Sequence, residues 1–141
     1  MFSTIVVGAD GSDTARRAVA KAAEVAAAFS GTLHIVSAYS GQAITSAELP
    51  EQFRHLKSSA DASALLQDLA MVAREYGVEA TTHGVEGDAV AAILSAAKSV
   101  DADLVVVGNK GMTGVRRVLG SVPNSIAHGA PCSVLVVDTT D

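Results

Sequence analysis

The chain has 141 residues, of which 49 % are hydrophobic, 18 % are charged and 4 % are aromatic. This length suits one domain with one core, and the apolar content lies far above that of disordered chains. Its longest apolar runs fall well short of the roughly 18 residues that a bilayer-spanning helix needs. The net charge of −5 argues against non-specific nucleic-acid binding. We therefore expect no disorder, no membrane span and no nucleic-acid partner.

The cysteine content and the first residues indicate the compartment. Cys132 is the only cysteine, which excludes an intramolecular disulfide and a cysteine-based zinc site, and a buried, inert thiol is expected. Residues 1–3 lead straight into a strand-like run without a basic segment, so we expect no secretory signal. These features favour a soluble protein of the reducing cytoplasm.

Hydrophobic patterning predicts five strands that alternate with four helices. In chain order, the predictions are a strand over 4–8, a helix over 15–29 ended by Gly31, a strand over 33–38, a helix over 50–76 ended by Gly77, a strand over 78–85, a helix from 88 to about 100 capped by Asp88, a strand over 104–108, a helix over 121–127 and a strand over 133–137. The first strand is a short β-branched run and the fourth is apolar throughout, and both end in glycine, which is typical of buried strands. The third strand alternates polar and apolar residues, which predicts an edge strand.

This alternation, with no linker, predicts an α/β fold: a doubly wound, five-stranded parallel sheet with helices on both faces. Right-handed crossovers follow from general rules of chain topology. We expect the strand order 3-2-1-4-5 and a single domain over residues 1–141.

The candidate ligand site follows from this fold, because ligands bind at the carboxyl ends of the strands where the strand order reverses. The loop over residues 8–12 follows the first strand, and a glycine-rich loop runs from Gly108 to Gly120 after the fourth. Glycines let the backbone approach a ligand closely. Ser121 then opens a helix, whose free amides and positive dipole end favour an anion.

The charge of this loop favours a phosphate ligand. Between Asn109 and Val137 the chain has no Asp or Glu but carries Lys110, Arg116 and Arg117, while the rest of the chain carries −8. The alternative is that the glycines only form turns and that the arginines are solvated. The loop is neither a P-loop nor a dinucleotide fingerprint, because the spacing of its glycines matches neither motif.

Residues 108–114, 119–124 and 130–137 resemble the C-terminal signature of the universal stress protein family, and residues 5–12 resemble that family's first strand and turn. The resemblance covers essentially the whole chain. It implies a small α/β domain that dimerises, with an ATP-binding subset marked by the pattern Gly-x2-Gly-x9-Gly-Ser/Thr. Here eight residues, not nine, separate Gly111 from Gly120.

The resemblance also implies a set of nucleotide contacts. By position, Gly108 and Gly111 approach the ribose and phosphates, and Gly120, Ser121 and Val122 hold the phosphate tail. Ala9 and Asp10 face the nucleoside, and Ile35 lines the adenine pocket. Val107 is a further expected nucleotide-binding residue. From the residues alone, Asp10 either orders a turn or contacts a ribose hydroxyl. Pro123, in the first turn of the last helix, has no N–H and removes one phosphate donor. We expect ATP, with or without Mg²⁺, to bind despite the shorter loop.

Neither a catalytic nor a metal-binding set is predicted. The four histidines, His34, His55, His83 and His128, are dispersed along the chain with no H-x-x-x-H pair. No Ser/His/Asp set or carboxylate pair lies near the glycine-rich loop to activate a water molecule. We expect ATP hydrolysis to be slow at most.

Three functions stay open on the sequence. The first is an ATP-binding regulatory module of the stress response that acts through its conformation or its partners. The second is a slow ATPase or phosphotransfer enzyme, and the third is a nucleotide-free dimeric interaction protein. In each case we expect a homodimer through the last strand, residues 133–137, because this strand is a flat, apolar sheet edge without Lys or Pro.

Overall fold

The computed structural model describes residues 1–10, 14–40, 58–109 and 121–138, and within them five strands alternate with four helices. Their bounds are β1 (Thr4–Gly8), α1 (Ala15–Phe29), β2 (Thr32–Tyr39), α2 (Ser59–Arg74), β3 (Ala80–Glu86), α3 (Ala89–Ser99), β4 (Leu104–Gly108), α4 (Ser121–Gly129) and β5 (Ser133–Val137). The bounds of β1, α1, β4 and β5 are the predicted ones. None of the helices in the described ranges is long and apolar enough to cross a bilayer.

The five strands form one parallel sheet in the order β3-β2-β1-β4-β5, which confirms the predicted order. β1 and β4 lie side by side at its centre, with Val7 opposite Val106. From β1 the chain builds one half of the sheet through β2 and β3, and β4 and β5 then build the other half. The strand order therefore reverses at the carboxyl ends of β1 and β4.

Helices cover both faces of the sheet, as predicted. α1 and α2 pack on one face over a core that includes Ile5 and Leu69, and α3 and α4 pack on the other over Val6 and Ile126. Because successive strand residues point to opposite faces, β1 contributes to both cores and reads as one continuous apolar run. That is why the central strands were recognisable from sequence.

The end of α1 corrects one prediction. Ser30, not Gly31, adopts the left-handed conformation that ends the helix (φ 55°). Gly31 is needed for a different reason, since a Cβ there would lie 2.7 Å from the Phe2 carbonyl oxygen and 3.0 Å from that of Ser3. The glycine therefore lets the turn pack against the N-terminal backbone.

The boundary between α2 and β3 also differs from the prediction. α2 begins at Ser59, after the Ser58 hydroxyl accepts a hydrogen bond from the Asp61 amide (3.1 Å), and residues 50–57 of the predicted helix lie outside the described residues. The predicted stop at Gly77 is confirmed by its left-handed φ of 76°. The Val78 amide then donates to the Ala73 carbonyl (3.2 Å), so Val78 still closes the helix and β3 begins only at residue 80.

Two further helix ends lie close to the predicted positions. The Asp88 carboxylate accepts a hydrogen bond from the Ala91 amide (3.0 Å), which confirms Asp88 as the N-cap of α3. α4 continues to Gly129, beyond the predicted end at 127, because the Ala130 amide still donates to the Ile126 carbonyl (2.9 Å).

Candidate nucleotide-binding site

The predicted site lies where the carboxyl ends of β1 and β4 meet. Ala9 follows β1, and its amide donates to the Val36 carbonyl (2.9 Å), which extends the pairing with β2. Asn109 follows β4, and its amide donates to the Val137 carbonyl (2.9 Å). The chain therefore leaves the sheet at two neighbouring points, and both candidate loops start there.

Gly8, the last residue of β1, is explained by helix packing. A Cβ at this position would overlap Ile93 Cδ1 and lie 3.0 Å from Ile93 Cγ1. A side chain there would force the Ile93 side chain, which packs from α3, to move. The absence of a side chain thus lets α3 pack close to the end of β1.

Asn109 ties the ends of β4 and β5 together. Its side chain is almost fully buried, at 1 % exposure, and Nδ2 donates to Asp138 Oδ1 (3.1 Å). With the main-chain bond to Val137, this contact holds Asn109, the last described residue before the glycine-rich loop, against the end of β5. This role of Asn109 was not predicted from the sequence, although a polar residue directly after the terminal glycine of a buried strand was a signal for it.

The predicted contact residues that belong to β1, β2 and β4 or directly follow them lie at different depths below the carboxyl edge of the sheet. Ala9, Asp10 and Gly108 lie at the carboxyl edge, and Asp10 is half-buried. Val107 and Ile35 lie within their strands at 3 % and 0 % exposure, on opposite faces of the sheet. Their side chains belong to the two cores, beneath the edge where a ligand would lie.

The predicted phosphate contacts are described only in part. Ser121 is the first residue of α4, and Val122 is half-buried against the core under α3 and α4. In a right-handed crossover between parallel strands, the helix runs back along the sheet, so its N-terminus lies at the carboxyl edge. The first turn of α4 has no acidic residue, which suits an anion. Gly111 and Gly120 lie outside the described residues.

Carboxylates are present in the described part of this edge. Asp88 is occupied as the cap of α3, Asp138 accepts the hydrogen bond from Asn109, and Asp10 lies beyond Ala9. Because these carboxylates are negative, the positive charge that a phosphate needs would come from the α4 dipole and from the cations of the glycine-rich loop, which are Lys110, Arg116 and Arg117. These three residues also lie outside the described ranges.

Ser37, near the carboxyl end of β2, was missed by the sequence analysis. It is 1 % exposed, and its Oγ has no hydrogen-bond partner within the part of the chain that the structure describes. Ser37 lies opposite Gly84 of β3. A serine inside an apolar strand was its only sequence signal.

Two of the histidines come together across the sheet. His34 Nδ1 of β2 and His83 Nε2 of β3 lie 2.9 Å apart. Burial, above all, and the adjacent His83 hold the pKa of His34 below its usual value. The sequence shows these residues as distant, and only the pairing of β2 with β3 makes them neighbours. No group of three or more His, Cys, Asp or Glu side chains is arranged around a metal position in the described ranges.

These features define the class of the protein, a doubly wound α/β domain with two loops at the reversal point of its sheet. The model of the universal stress protein family matches residues 1–138, and this chain belongs to that family. It is 36 % identical over 144 residues to the universal stress protein Rv1636 of Mycobacterium tuberculosis, covering 99 % of this chain and 98 % of that protein. The predicted family is thereby confirmed.

Solved structures of similar proteins confirm the fold. A universal stress protein in complex with cAMP matches with a TM-score of 0.80 and 35 % identity, over 99 % of both chains. The universal stress protein from Archaeoglobus fulgidus in complex with dAMP matches with a TM-score of 0.73 and 24 % identity, over 96 % of this chain and 98 % of that one.

Proposed function

We propose that the protein is an adenine-nucleotide-binding regulatory module of the stress response, a single domain over residues 1–141 that binds ATP, with or without Mg²⁺. The observation that carries the proposal is the reversal of strand order between β1 and β4, which starts both candidate loops side by side. The adenine nucleotide in the similar structure with cAMP supports it. We place the protein in the cytoplasm, where its lone cysteine stays reduced.

In this proposal the ligand lies across the carboxyl edge. Ala9 and Asp10 face the nucleoside, and Gly108 and Gly111 approach the ribose and phosphates. Gly120, Ser121 and Val122 hold the phosphates through backbone amides at the start of α4. The buried side chains of Ile35 and Val107 support the floor of the pocket.

A second candidate ligand is an adenosine monophosphate, cyclic or open. The structure that is 35 % identical holds cAMP, which has one phosphate. The loop of this chain is also one residue shorter than the ATP-type pattern that the family resemblance implies. Fewer phosphates need fewer loop amides, so a short loop disfavours ATP more than it disfavours a monophosphate.

Calorimetric titration of ligand-free protein with ATP, AMP and cAMP tests the proposal. Each hydrogen bond to a charged phosphate contributes roughly 1.5–3 kcal/mol. If the short loop misplaces two amides, ATP loses about 3–6 kcal/mol, or on the order of 10²–10⁴ in affinity. We expect ATP binding to be retained, because closing a surface loop changes little with one residue. Tighter binding of cAMP or AMP than of ATP would select the second candidate.

The matched variants for this titration are Gly120→Val and Gly84→Ala. The first puts a branched side chain where the phosphate is proposed to lie, and it should abolish binding without unfolding the domain. The second adds a Cβ that meets Leu66 Cδ1 at 3.6 Å, an ordinary contact on β3, which carries none of the proposed nucleotide contacts, and it should bind as the wild type. If none of the three nucleotides gives a heat of binding up to millimolar concentration, the protein is better explained as a nucleotide-free interaction protein.

We propose that the module binds without efficient hydrolysis. Phosphoryl transfer needs a positioned nucleophile as well as a charge clamp. Lys110, Arg116 and Arg117 offer charge, but the loop contains no carboxylate or glutamine to orient a water molecule. Turnover of ~1 s⁻¹ or more that disappears in Gly120→Val would identify the protein as an enzyme instead.

We also propose a homodimer formed by antiparallel pairing of β5 with β5 of a second copy. β5 is an edge strand that pairs with β4, and Val134 and Val136 are only half-buried. β3, at the other edge, is protected by polar residues such as Thr82 and Glu86. An isologous contact would bury the valines and satisfy the open backbone groups of both copies.

Molar mass from light scattering tests the dimer with one variant at each edge. Val136→Lys should give a monomer, because it places a charge in the proposed interface. Thr82→Lys, an exposed position of β3, should leave the dimer intact. A wild-type protein that is already monomeric would rule the contact out.

A further inference from the structure

A pair of histidines lies on the α3 face of the sheet, near its β3 edge and apart from the carboxyl edge. His34 and His83 approach with Nδ1 and Nε2 2.9 Å apart, and their ring centres are 5.2 Å apart at an interplanar angle of 33°. At this separation the rings meet nearly end to end and do not stack. One ring nitrogen of each histidine therefore points at the other ring, in the space between β2 and β3.

The face that carries this pair is accessible at the β3 edge. α2 packs on the opposite face of β3, whereas α3 lies over β2 and β1. Both imidazoles are half-buried, and Thr81, which lies opposite His34 in the register, is exposed. Solvent therefore reaches the two rings from the side of β3, while the strands hold them in place.

We propose that His34 and His83 form a two-histidine site for a borderline divalent transition metal ion of the Zn²⁺, Cu²⁺ or Ni²⁺ class, with water completing its coordination. Imidazole is a preferred ligand of these ions, whereas Mg²⁺ and Ca²⁺ prefer oxygen. With Zn–N bonds of about 2.0–2.1 Å in a tetrahedral arrangement, two ligand nitrogens lie about 3.3 Å apart. The observed 2.9 Å then widens by a few tenths of an ångström, and each ring turns by about 35° so that its lone pair leaves the line between the two nitrogens and points at the metal.

The chemistry of binding is a simple exchange. In the metal-free pair, one imidazole N–H donates to the other ring, and each neutral ring keeps one nitrogen without a proton. The metal takes the place of the shared proton: the donor ring holds its proton on its other nitrogen, and both facing nitrogens donate lone pairs to the metal. Coordination positions left to water make the site open, as in zinc sites that keep an exchangeable position.

Calorimetric titration with Zn²⁺ near pH 7 tests the site on untagged protein from which metal has been stripped with EDTA. We expect one Zn²⁺ per chain bound at these rings. His34→Gln and His83→Gln should each weaken binding by at least about tenfold, because loss of an outer-shell partner alone costs 10–100-fold. His128→Gln, an exposed histidine of α4, and Cys132→Ser are the matched controls and should bind Zn²⁺ as the wild type does.

Ni²⁺ broadening of backbone amide signals in the wild-type protein makes the test independent of how the variants fold. The signals around His34 and around His83 should broaden first. Broadening centred on His128 or Cys132, unchanged Zn²⁺ affinity in both glutamine variants, or no Zn²⁺ binding up to about 1 mM would each overturn the proposal. The last result would leave the pair as a hydrogen-bonded contact that holds only a proton.

Discussion

Asp103 fastens the N-terminal segment to the sheet, and its replacement gives a sharp test of the structure. Its Oδ2 accepts a hydrogen bond from the Ser3 amide (2.9 Å), and its Oδ1 accepts one from the Thr4 amide (3.1 Å). Its own amide donates to the Thr4 carbonyl (2.9 Å). The carboxylate thus engages two successive backbone amides at the start of β1.

The perturbation is Asp103→Asn, which keeps the size of the side chain but offers one acceptor in place of two. One amide then faces an NH₂ group. Buried hydrogen bonds to a charged group contribute about 1.5–3 kcal/mol each, and solvent exposure reduces this here, so we expect the substitution to cost about 1–2 kcal/mol. For a domain of this size, that loss lowers Tm by about 3–8 °C.

The effect should depend on pH in a defined direction. The Ser3 amide above all, with that of Thr4, holds the pKa of Asp103 below its usual value. Since the pKa is lower in the folded state, the stabilisation is complete above the unfolded pKa of about 4 and is lost as the pH falls through the folded pKa. The difference in free energy of unfolding between wild type and variant should therefore be full at pH 7 and should shrink as the pH falls below the unfolded pKa and through the folded one.

Urea unfolding between pH 7 and pH 3 measures this gap. Asp101→Asn is the matched control: Asp101 is exposed and has a φ of 54°, a conformation that Asn tolerates well. We expect the control to lie within about 0.5 kcal/mol of the wild type. A loss that stays constant with pH, or an equal loss in both variants, would refute the role assigned to Asp103.

Three further outcomes follow from single contacts. Gly31→Ala should lower the stability in thermal unfolding more than Gly77→Ala does. A Cβ at residue 31 meets the rigid carbonyl of Phe2 at 2.7 Å, whereas nothing lies within 4 Å of a Cβ at residue 77. Equal losses in the two variants would contradict this. The second change costs about 1–2 kcal/mol from its positive φ alone. Ser37→Ala should leave the free energy of unfolding in urea unchanged or raise it by up to about 1 kcal/mol, because it removes a buried hydroxyl that has no partner among the described residues. A clear loss of stability would show that the hydroxyl is hydrogen-bonded. Burial raises the pKa of the Cys132 thiol, so iodoacetamide should react with it near pH 7.5 more slowly than with a cysteine peptide, and equal rates would show an exposed thiolate.

Much of the fold followed from local patterns. β1 and β4 are buried on both faces, so their sequences are continuous apolar runs, and β3 alternates because it is an edge strand. The boundaries that were missed depend on hydrogen bonds which composition does not encode. Val78 has the residue type of a strand but closes α2, because its amide is bonded to Ala73.

The sequence by itself determined the order and type of the elements, the family, and the glycine-rich loop, because these depend on residues close together in the chain. Only the tertiary structure decided which residues become neighbours. Asn109 meets Asp138, His34 meets His83, and Asp103 reaches the N-terminus, across separations of 29, 49 and about 100 residues. Each of these contacts depends on strand register and helix packing, and a shift of one residue in register would turn a side chain to the other face of the sheet.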